Sequence, residues 1–144
     1  RNQSAILVHN TETSSSDLDF IEATNARGIS TWFCLCPNAN LYINNKLPDI
    51  ERFASYKNKI ILGTDSLASN NNLDILGEIK TMHRFFPSIP VHDLLRWATL
   101  NGAKALEIDE QTGSFEAGKQ PGIVLIEGLT ATSISPEARS YRIL

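Results

Sequence analysis

The sequence predicts an α/β fold in which three βα units are followed by a small β tail. Three short apolar runs support this prediction, at residues 5–8 (AILV), 31–35 (TWFCL) and 60–62 (IIL). Each run is continuous rather than alternating and is rich in β-branched or aromatic residues, which is typical of parallel strands covered on both faces. The runs start at residues 5, 31 and 60, and these intervals of 26 and 29 residues suit βα units with right-handed crossovers.

A helical pattern follows each of the three runs. The first pattern contains a capping-box-like pair, Ser16 and Asp19, and its helix is expected to end at Gly28, a residue that readily adopts the left-handed conformation. A further helix is expected over residues 90–106, with a break near Asn101 and the glycine that follows it.

The pattern changes after this last helix. Glycines and prolines form a turn region that leads into a strand over residues 123–126, a polar loop over residues 130–139 and a short last strand over residues 141–144. We therefore divide the chain into an α/β body, residues 1–111, and a β tail, residues 112–144.

Composition and charge exclude several classes of protein. The 144 residues are one domain's worth of chain, 42% hydrophobic and 20% charged, which is ordinary for a globular protein and too apolar for a disordered one. The net charge of -3, with no cluster of Lys or Arg, argues against nucleic acids and anionic membranes as partners. No apolar run is long enough for a bilayer and no signal peptide precedes the first strand, so we expect a cytoplasmic protein.

Cys34 and Cys36 lie two residues apart in and just after the second apolar run. Their side chains would point to the same side of a strand with Cα atoms about 6.6 Å apart, near the outer limit for a disulfide. We therefore expect two reduced cysteines in the core. Without further thiols or a histidine nearby, the pair is a poor candidate for a metal site.

Three polar segments follow the predicted strands: residues 9–11 (HNT), 36–40 (CPNAN) and 63–66 (GTDS). In parallel α/β folds, ligands bind at the carboxyl ends of the strands, so these segments would line one side of a site. Asp65 could be a metal ligand, a general base or the N-cap of a following helix. His9 could bind a metal, orient a polarised water or carbonyl, or be a hydrogen-bonded structural residue.

Other polar residues are weaker candidates. His83 and His92 are interpreted as structural or solvent-facing helix residues, residues 70–72 (NNN) as a loop with helix capping, and Lys119 as a solvated turn residue. The sequence contains no P-loop, GxGxxG or GxSxG motif, so phosphate cradling and serine-hydrolase chemistry lack their usual signals.

Three longer segments carry a family resemblance: ILGTDSLASNNNLDILGEIK, LLRWATLNGAKALEI and TGSFEAGKQPGIVLIEG. In this order, with a histidine after the first strand and CPNAN after the second, they resemble the C-terminal region of the amidohydrolase superfamily. The nearest branch is similar to cytosine deaminase and the chlorohydrolases, and it includes S-adenosylhomocysteine and guanine deaminases. The resemblance covers nearly the whole chain.

This resemblance implies both a fold and a site. The fold would be the C-terminal part of a distorted (β/α)8 barrel of the TIM type, with strands six to eight in this chain and part of the flanking β-sandwich in its tail. In that family the Asp after strand eight binds the catalytic metal and shuttles protons, a role that passes to Asp65. The His after strand six contacts the metal-activated water or the substrate, and it corresponds to His9. The implied cofactor is a divalent metal, Zn or Fe.

The sequence departs from the family pattern in two respects. The family's His-x-His after strand one and its His and Glu after strand five have no counterparts, so the chain falls short of the three protein ligands that a catalytic metal needs. Where family members often carry Ala-Asp after the GSFEAGK-like turn, this chain has Pro121-Gly122, a difference confined to the β tail. Because the chain begins with Arg1 rather than Met and a strand follows almost at once, we expect it to start inside a larger protein.

The expected function is hydrolysis of C–N bonds other than peptide bonds. Within its parent, the chain would help to deaminate a small-molecule substrate, an aminated nitrogen heterocycle, and alone it would be inactive and hold no metal. Its partner would be the missing N-terminal half of the barrel, and a homo-oligomer is a further expectation to test. An alternative is a catalytically silent half-barrel that acts as an assembly or interaction module through its unpaired strand edges. A receiver-like domain with Asp65 as phosphoacceptor lacks the acidic pair that it would need near the start of the chain.

Overall fold

Three parallel strands form the central sheet of the computed structural model, which describes residues 3–144. The strands are β1 (Gln3–Val8), β2 (Ile29–Leu35) and β3 (Ile60–Leu62), in the order β1-β2-β3. Cys34 pairs with Val8 on one side and with Ile61 on the other, so the carboxyl ends of the three strands lie side by side. The predicted α/β fold with parallel strands is confirmed.

Helices connect the strands and follow the last of them. They are α1 (Ser15–Asn25), α2 (Pro37–Asn44), a 3-10 helix (Ile50–Lys59), α3 (Ile75–Phe85), α4 (Val91–Ala98) and α5 (Leu100–Ala105). Helix α2 was not predicted, because the CPNAN segment has the composition of a loop. Its proline occupies the first turn, where a missing backbone N–H leaves no intrahelical bond unmade. No helix within residues 3–144 is long and apolar enough to cross a membrane.

The cap of helix α1 lies two residues before the predicted one. The Ser14 hydroxyl accepts a hydrogen bond from the Asp17 backbone N at 3.2 Å, and the Asp17 carboxylate accepts one from the Ser14 backbone N at 2.8 Å. The expected pair of Ser16 and Asp19 was therefore wrong. Residues 14–16 are all serines, and an acid follows three residues after both Ser14 and Ser16, so the sequence contains two equivalent capping boxes.

The predicted long helix over residues 90–106 is divided at Thr99, where the backbone leaves the helical region with φ -128° and ψ -90°. This break falls two residues before the expected one at Asn101. Asn101 is fully buried and donates from Nδ2 to the Ile60 backbone oxygen at 2.8 Å. Helix α5 is therefore tied to the start of β3.

The main core lies between the sheet and the helices α3 and α4. Phe33 of β2 packs edge-on against Phe53, with ring centroids 4.9 Å apart. Leu35, Met82 and Leu94 belong to the same buried cluster and are fully buried. The carboxyl ends of β2 and β3 therefore pack against the main core.

Strand β1 is more exposed than its apolar sequence predicts. Ile6, Leu7 and Val8 are 37%, 37% and 50% exposed, whereas every residue of β3 is buried. The prediction of strands covered on both faces is therefore wrong for β1. Within the described part of the chain, β1 pairs only with β2, so its second edge and its apolar side chains stay uncovered.

The chain ends in an antiparallel hairpin of β4 (Val124–Leu129) and β5 (Ile134–Arg142). The expected polar loop over residues 130–139 was wrong, because more than half of it is strand. Ile134 and Ala138 join the main core while most of the other residues of β5 face solvent, which explains its polar composition. The division of the chain into a body and a tail stays a prediction.

Candidate active site

The carboxyl ends of the strands bring the two predicted site residues, His9 and Asp65, together. His9 directly follows β1, and Asp65 lies three residues after the end of β3. Their side chains are 36% and 32% exposed, and His9 Nε2 lies 3.9 Å from Asp65 Oδ2. This distance is too long for a direct hydrogen bond, and it is compatible with one bridging atom such as a water oxygen.

The backbone at these strand ends is left-handed at three residues that are not glycine. The φ angle is 73° at His9, 60° at Asn10 and 58° at Asp65. Such conformations are uncommon and persist where surrounding contacts fix them. Asn10 makes such contacts, since its Nδ2 donates to the backbone oxygens of Leu7 at 2.9 Å and Cys34 at 3.2 Å. The strand end that presents His9 is therefore held by neighbouring residues.

Asn40 holds both the ring and the backbone of His9. His9 Nδ1 lies 2.8 Å from Asn40 Oδ1, and Asn40 Nδ2 donates to the His9 backbone oxygen at 3.3 Å. Asn40 is 2% exposed and lies on helix α2. The CPNAN segment was a candidate from the sequence, but no role was predicted for Asn40, because the contact joins residues 31 positions apart.

Asp65 is fixed by the loop that follows it. The Ser69 hydroxyl donates to Asp65 Oδ2 at 2.5 Å, and Ser69 is itself buried. The next helix, α3, has Asp74 as its N-cap, whose carboxylate accepts from the Leu76 backbone N at 3.0 Å. Of the three roles open to Asp65, the N-cap is therefore excluded.

A buried hydrogen-bond network centred on Glu78 of α3 joins the start of helix α2 to the loop after β3. The Glu78 carboxylate accepts hydrogen bonds from Asn38 N at 2.9 Å, from Asn38 Nδ2 at 3.0 Å and from Asn70 Nδ2 at 2.7 Å. Asn70 Nδ2 also donates to the backbone oxygen of Thr64, the residue before Asp65, at 2.8 Å. The expected capping role of residues 70–72 was wrong, because the cap is Asp74 and the Asn70 side chain instead joins the loop after β3 to helix α3.

Glu78 is fully buried and makes no ion pair with the described residues. Burial raises the pKa of Glu78, while the hydrogen bonds from Asn38 and Asn70 oppose this shift. Glu78 was not predicted from the sequence, because an acid in an amphipathic helix gives the same sequence pattern whether it faces solvent or the interior. The two amides that satisfy it come from a loop 8 residues away and from helix α2, 40 residues away in sequence.

Both cysteines are free, as predicted, with Cys36 buried and Cys34 half-buried. They flank Gly63, where a Cβ atom would lie 2.8 Å from Cys34 Sγ and 3.4 Å from Cys36 Sγ. The hydrogen bond with Cys34 and burial raise the pKa of Cys36, and the carboxylates of Glu78 and Asp65 act in the same direction. The Cys36 thiol is therefore protonated at neutral pH beside the strand ends.

The weaker candidates are placed as follows. His92 is 78% exposed and lies 3.4 Å from Asp93, which agrees with a solvent-facing position. His83 Nδ1 is buried and finds no hydrogen-bond partner in the described part of the chain. Lys119 was expected to be solvated, but its side chain is only 11% exposed because its Nζ contacts Glu116 at 2.6 Å and Ser114 at 2.8 Å.

Asp65 and His9 carry side chains that could hold a metal ion. A carboxylate oxygen and an imidazole nitrogen are ligand types that both Zn and Fe accept. Across residues 3–144, however, no group of three or more His, Cys, Asp and Glu side chains is arranged to hold a metal ion. The donor set suits part of a catalytic metal site, and the remaining ligands would have to come from other polypeptide.

Comparison with known sequences gives this site a context. The profile of the Amidohydrolase family matches residues 2–142. The chain is 32% identical to the 5-methylthioadenosine/S-adenosylhomocysteine deaminase of Teredinibacter turnerae over 127 residues, which are 83% of this chain and 28% of that protein. It is 33% identical to the 5'-deoxyadenosine deaminase of Methanosarcina acetivorans over 98 residues, which are 63% of this chain and 22% of that protein.

Solved structures show the same fold. The guanine deaminase of E. coli matches 85% of this chain with a TM-score of 0.70 and 23% sequence identity. The aminofutalosine deaminase of Helicobacter pylori, in complex with methylthio-coformycin, matches 81% of this chain with a TM-score of 0.64 and 27% identity. In each case the match covers 28% of the solved chain, so this chain spans less than a third of the length of these relatives.

Proposed function

Because the chain belongs to the amidohydrolase family, we propose that it supplies Asp65 and His9 to the active site of a metal-dependent hydrolase. The reaction would be hydrolysis of a C–N bond other than a peptide bond. One observation carries the proposal: Asp65 Oδ2 and His9 Nε2 face each other across 3.9 Å at the carboxyl ends of parallel strands. This is the position at which enzymes of this architecture bind their substrates.

The names of the relatives suggest the substrate class. Two are deaminases of adenosine derivatives and one is a guanine deaminase. We therefore infer an aminated purine-like small molecule as the substrate of the whole enzyme. Its specificity would depend on loops outside this chain.

The geometry supports a role for each residue in hydrolytic deamination. Water adds to the carbon that bears the amino group, the C–N bond breaks, and the nitrogen leaves as ammonia. The half-exposed Asp65 carboxylate can take a proton from the water and give it to the departing nitrogen. His9 Nε2 faces the same space and can orient the water or the substrate. A bound Zn or Fe, held by Asp65 and by ligands from outside this chain, would lower the pKa of the water to about 7.

We further propose that β1, β2 and β3 are strands six, seven and eight of a (β/α)8 barrel. The parallel order of the strands supports this placement, as do the matches to 28% of two deaminase chains. The hairpin of β4 and β5 would then belong to the flanking β-sandwich. The partner of the chain would be the polypeptide that carries strands one to five, and the chain alone would be inactive.

A second candidate function is a catalytically silent assembly module, which the uncovered strand β1 favours. Its free edge and the exposed side chains of Ile6, Leu7 and Val8 could pair with a second copy. Light scattering of the chain would then show a dimer or larger species, and Val8→Lys would return it to a monomer. A monodisperse monomer over a wide concentration range would contradict this candidate.

The hydrolase proposal is tested on the full-length product of the gene that encodes this chain. We expect the purified protein to contain Zn or Fe and to release ammonia from aminated purine nucleosides or bases. Ammonia release is measured by a coupled assay and the metal by mass spectrometry. A protein with neither metal nor activity towards aminated, amidated or chlorinated heterocycles would contradict the proposal.

A further inference from the structure

The orientation of the Asn40 amide determines which ring nitrogen of His9 carries the proton. Asn40 Nδ2 lies 3.3 Å from the His9 backbone oxygen, which only accepts hydrogen bonds. The amide must therefore place its NH2 group there, since the opposite orientation would set two acceptor oxygens against each other. Its other end, Oδ1, then faces His9 Nδ1 at 2.8 Å, and a carbonyl oxygen can only accept. Nδ1 must be the donor.

The protonation of Nδ1 determines the state of the second ring nitrogen, Nε2. In a neutral imidazole only one nitrogen carries a proton, so Nε2 presents a lone pair when Nδ1 is the donor. Nε2 faces Asp65 Oδ2 at 3.9 Å, and this oxygen is also an acceptor. Two acceptors at this distance repel each other unless a group between them donates a hydrogen bond to both, such as a water molecule, or a cation binds both.

The contacts around Asn40 make this arrangement rigid. The Asn40 side chain is 2% exposed, so water cannot readily replace its hydrogen bonds. Its donor end holds the carbonyl of a residue whose φ is 73°, a conformation that needs support. Asn40 therefore fixes the backbone and the ring of His9 through the two ends of one amide.

We propose that Asn40 is a positioning residue that holds His9 in the tautomer protonated at Nδ1, with the Nε2 lone pair directed at the space beside Asp65. Free imidazole side chains favour the opposite tautomer, protonated at Nε2, so the preference is imposed by the fold. The catalytic consequence of this arrangement rests on the proposed function, whereas the tautomer itself does not.

The tautomer is measured by long-range ¹H–¹⁵N correlation spectra of the 144-residue chain with ¹⁵N-labelled histidine, recorded at a series of alkaline pH values until the spectra no longer change. We expect His9 of the wild type to show a protonated Nδ1 and an unprotonated Nε2. The variant Asn40→Leu removes the acceptor, and His9 should then shift towards the form protonated at Nε2. Asn40→Asp keeps an acceptor oxygen for Nδ1 and should retain the Nδ1–H form, while the loss of the donor to the His9 backbone oxygen should lower its stability. His83 and His92 serve as internal controls in every spectrum.

A wild-type His9 protonated at Nε2 would overturn the proposal, even if no variant can be folded. An unchanged His9 tautomer in Asn40→Leu would overturn it as well. In the full-length enzyme, Asn40→Leu should lower kcat by about 10- to 100-fold with a smaller change in KM, as expected for a group that orients another. If the tautomer is as expected but the wild-type enzyme has no activity, the proposed function fails while the positioning role stands.

Discussion

Glu78 is a carboxylate buried among amides, and its burial makes the stability of the chain depend on pH. Folding raises the pKa of Glu78 above its ordinary value of 4.5. Below that value the group is protonated in both the folded and the unfolded state. As the pH rises through the folded-state pKa, the unfolded chain releases its proton first, so the free energy of unfolding falls.

We expect the variant Glu78→Gln to lack this contribution. The free energy of unfolding of the wild type, relative to this variant, should fall as the pH rises above about 4.5. Urea unfolding at a series of pH values measures the difference. Thr81→Val is the matched control. The Thr81 hydroxyl donates to Asn38 Oδ1, so this variant removes a hydrogen bond from the same network but keeps the Glu78 carboxylate. The free energy of unfolding of Thr81→Val should be lower than that of the wild type by about 1 kcal/mol, and it should depend on pH in the same way as that of the wild type. A wild-type minus Glu78→Gln difference that is constant with pH would contradict the account.

Which individual residues could be predicted depended on whether their signal is local. His9 and Asp65 were selected because each follows an apolar run, and the structure brings them together. Asn40, Ser69 and Glu78 were missed, since their importance lies in which distant atoms they meet. Polar residues of these types are common in loops and helices, and only the fold distinguishes the buried ones.

Gly113 shows the close approach of the turn region to helix α5. Its φ is 86°, and a Cβ atom would lie 2.6 Å from Ala103 Cβ and 3.1 Å from Leu100 Cα. We expect Gly113→Ala to lower the free energy of unfolding by about 2 to 4 kcal/mol, from backbone strain and overpacking together. Urea unfolding of the chain measures this loss.

Gly118 is the matched control for that prediction. Its φ is 93°, but a Cβ atom there would have no neighbour within 4 Å. Gly118→Ala should therefore lower the free energy of unfolding only through backbone strain, by about 1 to 2 kcal/mol. Equal losses in the two variants would show that the contact with α5 does not constrain the turn.

Elements with one clear sequence pattern were predicted. Elements whose residues favour a different local structure were not. The three strands were found because apolar runs of this kind are short and bounded by polar segments. Helix α2 was missed because its residues favour loops and caps, and burial of Asn40 and Ala39 against the rest of the fold overrides that preference. Strand β5 was predicted only at its end, over residues 141–144, because its longer first part buries only Ile134 and Ala138.

At the scale of the whole molecule, the chain places Asp65 and His9, the two residues proposed for the metal site, beside an uncovered strand edge. Two ligands fall short of the number that a catalytic metal needs. We therefore expect an excess of Zn²⁺ to leave the thermal unfolding temperature of the 144-residue chain unchanged, as followed by circular dichroism. A rise in this temperature that disappears in Asp65→Asn would show that the chain binds metal alone.

The proposed role of Asp65 is tested most directly by the variant Asp65→Asn in the full-length enzyme. The substitution keeps the shape of the side chain but removes the charge and the proton acceptor. We expect the amount of bound metal to decrease and the deaminase activity to fall by at least about 100-fold. Asp19→Asn, on an exposed position of α1, should leave both unchanged. An Asp65→Asn enzyme that retains wild-type metal content and activity would contradict the assignment of Asp65 as the metal-site carboxylate.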